Sequence, residues 1–597
     1  MKNLLFLFAF IMFYAIGYTQ YVPTYVEASQ GLGNPYMEGG DTEIEMADMD
    51  GDGNLDLVSV GDHGSPFINT PQHGVMIWFG DGNCNWSVVQ NGDFGYGGVA
   101  VGDVDNDGIM DVGYGIHHNY SSTDLGDQVL EVALGDGTGL FWFPWDDGLG
   151  QNGQTWGMFG TDFADINCDG YLDIGSNSFG SGDGVHVHIN NTDGSWTQSF
   201  GWIGGNSTME FTFGDVNNDG FADFAVGNQM GTVYINDATG NFISADGNLP
   251  TSSYALDGTD LGDIDNDGMD ELSMCNISGG LEVWKWSPGN VWTNLSSGLP
   301  LSGNYGATEI IDMDMDGFAD LASFAKGSVA IWKGDGSGVW TQVASFTLPP
   351  QGYVQSFRVD GDVDHNGYPD IALVCEEGSW PSYQNHFHFF KEASAADSLS
   401  ITPFKPGPFR FWHINSVRII RWISEVPAGD FSWVKLEVST TDSTGPWIEI
   451  VDSVPNNGHY QWLVPAAHQT YFARIKYTVY TLNDSATSMT ADVFTIGPVT
   501  TNITENTMES TINHLKVYPN PVTLFTDIQY YVDNPQNVDI SIFDISGKKI
   551  KIITSHLHQV GHYKVRWELD DSIGSGIYFC HLKTGNFSIT KKLVILR

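Results

Sequence analysis

The chain has 597 residues and a formal charge of −50, with 73 acidic side chains against 23 lysines and arginines. The imbalance lies in residues 21–395, where 55 acidic residues face only Lys285, Lys326, Lys333, Arg358 and Lys391, whereas the rest is close to neutral. A segment so poor in cations cannot neutralise phosphates, which excludes nucleic acid as a partner.

Residues 1–20 read as an export signal: Lys2, an apolar run from Leu4 to Ala15, then small and polar residues to Gln20. A membrane anchor is the alternative, but no basic cluster or stop-transfer pattern follows, and no later stretch is long and apolar enough to span a bilayer. Five scattered cysteines, an odd number, imply no disulfide framework. The expectation is an exported chain without a transmembrane anchor, stabilised by its core and by metal.

Residues 21–395 are organised around one nonapeptide, D-x-[DN]-x-[DN]-G-x-x-[DE], written seven times. Positions 1, 3, 5 and 9 carry oxygen side chains, Gly at position 6 takes a sharp turn, and the position 7 carbonyl adds an oxygen. The expected ligand sets are Asp48, Asp50, Asp52, Asn54 and Asp56 in the first repeat, and Asp103, Asp105, Asp107, Ile109 and Asp111 in the second. The third offers Asp165, Asn167, Asp169, Tyr171 and Asp173, and the fourth Asp215, Asn217, Asp219, Phe221 and Asp223. The fifth offers Asp263, Asp265, Asp267, Met269 and Glu271, with Asp270 out of step. The sixth offers Asp312, Asp314, Asp316, Phe318 and Asp320, and the seventh Asp362, Asp364, Asn366, Tyr368 and Asp370.

Calcium takes six to eight oxygens at roughly 2.3–2.6 Å, and alternate residues of a tight loop can supply them. Ordinary Asp/Asn/Gly turns are the alternative. Four carboxylates packed into nine residues repel one another unless a cation sits among them, which favours up to seven structural Ca2+ ions. These loops are not EF-hands, because position 12 is Ser59, Tyr114, Ser176, Val226, Met274, Ser323 and Leu373 rather than Glu. The residues after each loop alternate as strands do.

Successive loops start 55, 62, 50, 48, 49 and 50 residues apart. A glycine-rich β pattern with a period near fifty predicts propeller blades, seven of them, rather than the short repeat of a β-helix. In the fourth repeat the strands are expected at Glu210–Val216, Phe221–Gly227, Thr232–Asn236 and around Phe242. Tyr21–Ser29 is the expected closing strand. Phe213-Gly-Asp-Val-Asn-Asn-Asp-Gly-Phe-Ala-Asp-Phe-Ala-Val-Gly227 resembles the FG-GAP/VCBS repeats of integrin α-subunits and of bacterial secreted proteins.

In an up-and-down blade the seven loops share one face and the second-to-third connections the other. Those connections are long and aromatic in repeats seven, one and two, which are neighbours in a closed ring. They point to a glycan- or protein-binding face that includes His63, His73, His117, His118, Tyr120, Trp380 and Tyr383, with Trp145 in a further excursion. Surface loops without a ligand are the equal alternative. Trp78, Trp284 and Trp332 recur at one blade position and read as packing residues.

Residues 398–498 carry short alternating strands around Val417–Trp422, Val434–Ser439, Gly445–Ile450, Gly458–Trp462 and Tyr471–Lys476, and look like a fibronectin-III or Ig-like β-sandwich. Residues 500–513 form a polar linker. Within residues 514–597, Val517-Tyr-Pro-Asn-Pro521, Val538–Lys548, Gly576–Phe579 and Lys591–Arg597 resemble the type IX secretion C-terminal sorting domain (type A) of Bacteroidota. That resemblance implies contact with the secretion machinery, removal of the module, and surface attachment or release.

Zinc-protease, serine-hydrolase, thiol and nucleotide-binding motifs are absent from the sequence. His117-His118, His186-x-His188 and His386-x-His388 are candidates for a second metal site, although the latter two lie on strands, where solvent-facing or packing roles are expected. The reading is an all-β secreted or cell-surface binding and adhesion protein: a seven-bladed propeller, a sandwich and a small C-terminal β-sandwich. A polysaccharide-degrading hydrolase or lyase on the same scaffold is the alternative.

Overall fold

The computed structural model describes residues 21–33, 43–60, 75–89, 97–115, 129–150, 158–178, 184–202, 207–228, 232–250, 257–276, 278–349, 351–378 and 384–499. Towards the C-terminus it describes 515–518, 522, 525–532, 536–544, 548–558, 561–569, 573–574, 576–584 and 587–595. The proposed signal, residues 1–20, and the proposed linker, residues 500–513, lie outside the described residues. Two compact units emerge, residues up to Thr501 and residues from Asn502 onward, each described by itself.

The first unit begins with seven four-stranded antiparallel sheets laid down in chain order. In repeat four the strands are Ser207–Gly214, Asp223–Asn228, Val233–Asn236 and Phe242–Ser244, close to those expected from the alternation. Second strands such as Asp56–Val60 and Asp320–Ala325 are buried along their whole length, because each sheet is covered on both faces by its neighbours. The first strands Ile44–Ala47, Val99–Gly102, Met158–Ala164, Ser207–Gly214, Asp257–Gly262, Tyr305–Ile311 and Gln351–Arg358 touch one another in succession, and the last touches the first. The ring is thus closed. Tyr25–Glu27 supplies the fourth strand of the last sheet, with Tyr25 opposite Glu392, so the chain's beginning clasps its seventh repeat.

Tryptophans hold the seams. Trp78, Trp284 and Trp332 lie opposite Leu57, Leu272 and Leu321 in equivalent cross-strand pairs. A second set sits on the fourth strands, where the indoles donate to a carbonyl of the neighbouring sheet or its approach. Trp196 Nε1 donates to Trp145 O at 2.6 Å, Trp292 to Ala245 O at 2.7 Å and Trp340 to Leu295 O at 2.7 Å. Each ring fills the seam while its polar edge is satisfied.

Residues 400–497 form a sandwich. One sheet has the order Ser400–Lys405, Val417–Glu425, His459–Leu463; the other runs Phe411–His413, Phe494–Gly497, Thr470–Tyr480, Trp433–Ser439, Trp447–Pro455, with Ser485–Met489 also on Thr470–Tyr480. Trp412, Trp422, Leu436, Tyr477 and Phe494 fill its core. The second unit pairs a three-stranded sheet (Lys516–Tyr518, Phe525–Val532, Gly561–Glu568) with a four-stranded one (Lys549–His558, Gln536–Asp544, Gly576–Thr584, Phe587–Ile595). Ile528, Ile540, Cys580 and Leu593 lie in the core between them. Among the described residues no helix is long and apolar enough to cross a membrane.

Candidate metal centres and the face that carries them

The seven nonapeptides connect first to second strands and share one backbone design. Gly at position 6 (Gly53, Gly108, Gly170, Gly220, Gly268, Gly317, Gly367) has φ between 86° and 96°, which a side chain would strain. Position 4 is left-handed as well, at φ 52–73°, although it is occupied by Gly51, Asn106, Cys168, Asn218, Asn266, Met315 and His365. The asparagines and His365 suit that conformation and signal it in the sequence; Cys168 and Met315 do not.

Carboxylates order each loop. The position 6 amide donates to the position 1 carboxylate at 2.7–3.0 Å in all seven. The position 9 carboxylate is fully buried and accepts the position 2 amide at 2.8–3.0 Å. In six loops its other oxygen accepts an amide from the third strand: those of Gly80, Gly135, Asn190, Asn236, Gly334 and Glu392, at 2.8–2.9 Å. Position 9 therefore stitches the loop to two strands as well as facing the cluster. This stitching role was not visible in the motif, because it depends on which strand lies alongside.

These carboxyls are far from their ordinary titration range. Burial, reinforced by the neighbouring carboxylates, pushes Asp48, Asp103 and Asp165 up to about 6, and Asp263 and Asp312 up to about 7. It pushes Asp56, Asp111 and Asp320 up to about 8, and Asp173, Asp223 and Asp370 well above the usual range. Ligand atoms of Asp48, Asp50 and Asp56 lie within 4.8 Å of one another, as do those of Asp103, Asp105 and Asp111, of Asp263, Asp265 and Glu271, and of Asp312, Asp314 and Asp316. Asp48 Oδ1, Asp265 Oδ1, Asp314 Oδ1 and Asp364 Oδ1 are buried without a hydrogen-bond partner. Converging hard oxygens, some with no donor to satisfy them, fit a cation of the calcium class.

The sandwich sits on this face. Asn457 Nδ2 donates to Asp48 Oδ2 at 3.2 Å, Gln461 Nε2 to Asp103 O at 2.7 Å, and Val417 N to Asp165 Oδ2 at 2.8 Å. Phe411 N donates to Asn218 Oδ1 at 2.8 Å, and Val426 N to His365 O at 2.9 Å. Arg410 pairs with Asp270, the carboxylate one residue out of step in the fifth repeat. Burial opposes ionisation of Asp270, but the Arg410 guanidinium holds its carboxyl below the usual range. Asp270 Oδ2 also accepts Asp215 N at 2.7 Å, which joins repeats four and five.

Below the sandwich the first strands enclose a cavity of about 260 Å3, closed on that side by Phe404, Lys405 and Arg421. Its acids tie the repeats to one another. Glu43 accepts from Val99 N (2.9 Å) and Thr161 N (3.1 Å), Asp162 from Phe213 N (2.8 Å), and Asp260 from Ile310 N (2.6 Å). Arg358 bridges Glu45 and Glu309. Burial, partly offset by Arg358, raises Glu45 to about 8 and Glu43 and Glu309 well above the usual range.

Of the residues expected on the opposite face, His63, His73, His117, His118, Tyr120, Trp380 and Tyr383 lie outside the described residues. Trp145 is half-buried in the seam between repeats two and three, where its carbonyl accepts the Trp196 indole. His188 is buried, which pushes it down to about 3, and His186 Nδ1 lies 2.7 Å from Gln198 Nε2. His388 lies between Glu27 (2.9 Å) and Glu377 (2.7 Å), so it ties the closing strand to its sheet, and Cys375 brings its sulfur within 4.8 Å of the Glu377 and His388 ligand atoms.

Comparison with known proteins agrees with the repeats and the terminus. Residues 48–114 and 312–373 match the model of the FG-GAP-like repeat, residues 209–242 that of the FG-GAP repeat, and residues 516–596 that of the secretion system C-terminal sorting domain. A solved protein from Lactobacillus plantarum is 12% identical with a TM-score of 0.35, covering 58% of this chain and 96% of its own. The chicken CNTN1 FN1–FN3 domains are 9% identical with a TM-score of 0.13, covering 49% of this chain and 100% of their own. At such scores the fold assignment rests on the sheet topology itself. The chain carries FG-GAP repeats in a propeller-like array and ends in the sorting domain that directs type IX export to the cell surface or the medium.

Proposed function

We propose that the mature protein is a calcium-stabilised propeller that works outside the cell as a binding or adhesion module for a glycan or a protein. In this reading residues 1–20 are a signal peptide, residues 21–395 the propeller, 398–498 a sandwich that caps it, 500–513 a linker and 514–597 the removable sorting module. The observation that carries the reading is the sandwich seated on the carboxylate loops through Asn457, Gln461, Val417 and Arg410. Ions in loops covered in this way are structural. Each neutralises a carboxylate cluster and joins two strands, so that its binding free energy becomes folding free energy. A partner is then left the opposite face, with its long aromatic connections in repeats seven, one and two.

A polysaccharide-degrading activity is the second reading, favoured by the acid-rich cavity in which Glu45 is raised to about 8. Against it, the cavity carboxylates named above already hold backbone amides or Arg358. The test is a glycan-array screen of the mature protein in calcium, with every hit assayed for product. Binding without turnover supports the adhesion reading, turnover replaces it with the enzyme, and silence on both counts refutes a glycan ligand.

A further inference from the structure

The seven loops differ in one residue that lies outside the motif. Position 10 of each loop pairs across to the third strand, and the residue just beyond that partner lies beside the carboxylate cluster. It is Phe79, Leu134, Ile189 and Ile235 in repeats one to four. In repeats five to seven it is Lys285, Lys333 and Lys391, three of the five basic residues in residues 21–395.

Each of these ammonium groups reaches into its own loop. Lys285 Nζ lies 2.8 Å from Asp265 Oδ2, 2.8 Å from Asp267 Oδ2 and 2.7 Å from Glu271 Oε1, which are positions 3, 5 and 9. Lys333 Nζ pairs with Asp314 and Asp316, positions 3 and 5. Lys391 Nζ lies 2.9 Å from Asp364 Oδ2, position 3. Glu271 explains its own departure from the motif: the extra methylene carries Oε1 to the lysine, whereas an aspartate there uses that oxygen for a third-strand amide.

We infer that the lysines divide the loops into two classes, with repeats one to four forming tight divalent-cation sites and repeats five to seven neutralised from within by an ammonium on the third strand. This inference rests on the calcium reading proposed above. The lysine loops are not closed to a cation, since Asp265 Oδ1, Asp314 Oδ1 and Asp364 Oδ1 remain without a partner. A dication there shares a carboxylate with an ammonium. Their repulsion at an effective dielectric near 20 weakens binding at least about tenfold relative to repeats one to four. The number of carboxylates each lysine engages ranks the three: repeat five is the most strongly neutralised and repeat seven the least.

Native mass spectrometry of the full chain with calcium alone, at concentrations that saturate only the tight class, tests this. Four ions are expected on the wild type, seven on the triple variant K285M/K333M/K391M, and three on I235K, which places a lysine in repeat four. Should the triple variant fail to fold, K391M alone is expected to add one ion. Seven equal ions on the wild type, or a count that ignores the lysine substitutions, overturns the inference while leaving the calcium reading intact. No ion on the wild type or any variant overturns both.

Discussion

Asp223→Ala tests whether position 9 stitches strands together or merely faces an ion. The side chain is fully buried; Oδ2 accepts Val216 N at 3.0 Å and Oδ1 accepts Asn236 N at 2.8 Å. Truncation leaves two buried amides unsatisfied, each costing about 1–3 kcal/mol. The expected loss is therefore about 3–5 kcal/mol, large for one substitution and tied to a named cause. Asp219→Ala, in the same loop, removes an exposed carboxylate that accepts only within the turn, from Phe221 N and Asn217 Nδ2. It should cost little in chelator and more in calcium. Scanning calorimetry of the full chain in calcium and in chelator, with amide exchange at Val216 and Asn236, reads both effects. A loss under about 1 kcal/mol for Asp223→Ala in calcium, with exchange unchanged, would refute the stitching role.

Stability should depend on pH in opposite ways with and without the ion. Burial raises Asp48, Asp103 and Asp165 to about 6 and Asp56, Asp111 and Asp320 to about 8, above the roughly 3.9 of an unfolded aspartate. Raised groups contribute stability that is complete below the unfolded value and is lost as pH rises through 6 to 8. The chelated protein should melt higher at pH 5 than at pH 8, and calcium affinity should rise across that window because binding expels protons; a chelated protein that gains stability with rising pH contradicts this. Arg410→Ala leaves the buried Asp270 carboxylate without its cation, a change that costs about 3–5 kcal/mol at such sites. It should loosen the sandwich from the loop face, read as faster proteolysis around residues 406–410. Chelation should do the same, since the sandwich contacts the loops of repeats one to five and seven; a sandwich that stays protected in chelator would show that its seating does not need the ions.

Much of this architecture was legible in one dimension, because a repeated oxygen pattern with a fifty-residue period is a local property. Loop chemistry is set within nine residues, and strand alternation around Phe221–Val226 needs no distant partner to be recognised. The closing role of Tyr25–Glu27 was inferable as well, since a ring with one strand too few must borrow it. The place of residues 398–498 was not legible. The alternation announced a sandwich but nothing about its seat, because Asp48–Asn457 and Asp103–Gln461 join residues some 400 and 360 positions apart. Nor were the lysines readable as part of the loops. Lys285 lies 14 residues beyond Glu271, and only the cross-strand pairing of Leu272 with Trp284 brings its ammonium back to the carboxylates. The sequence by itself determined the repeats, their hard-oxygen chemistry and the export route. Tertiary structure alone decided which face is covered and which loops carry their own cation, because both depend on strand neighbours that the chain supplies from far away.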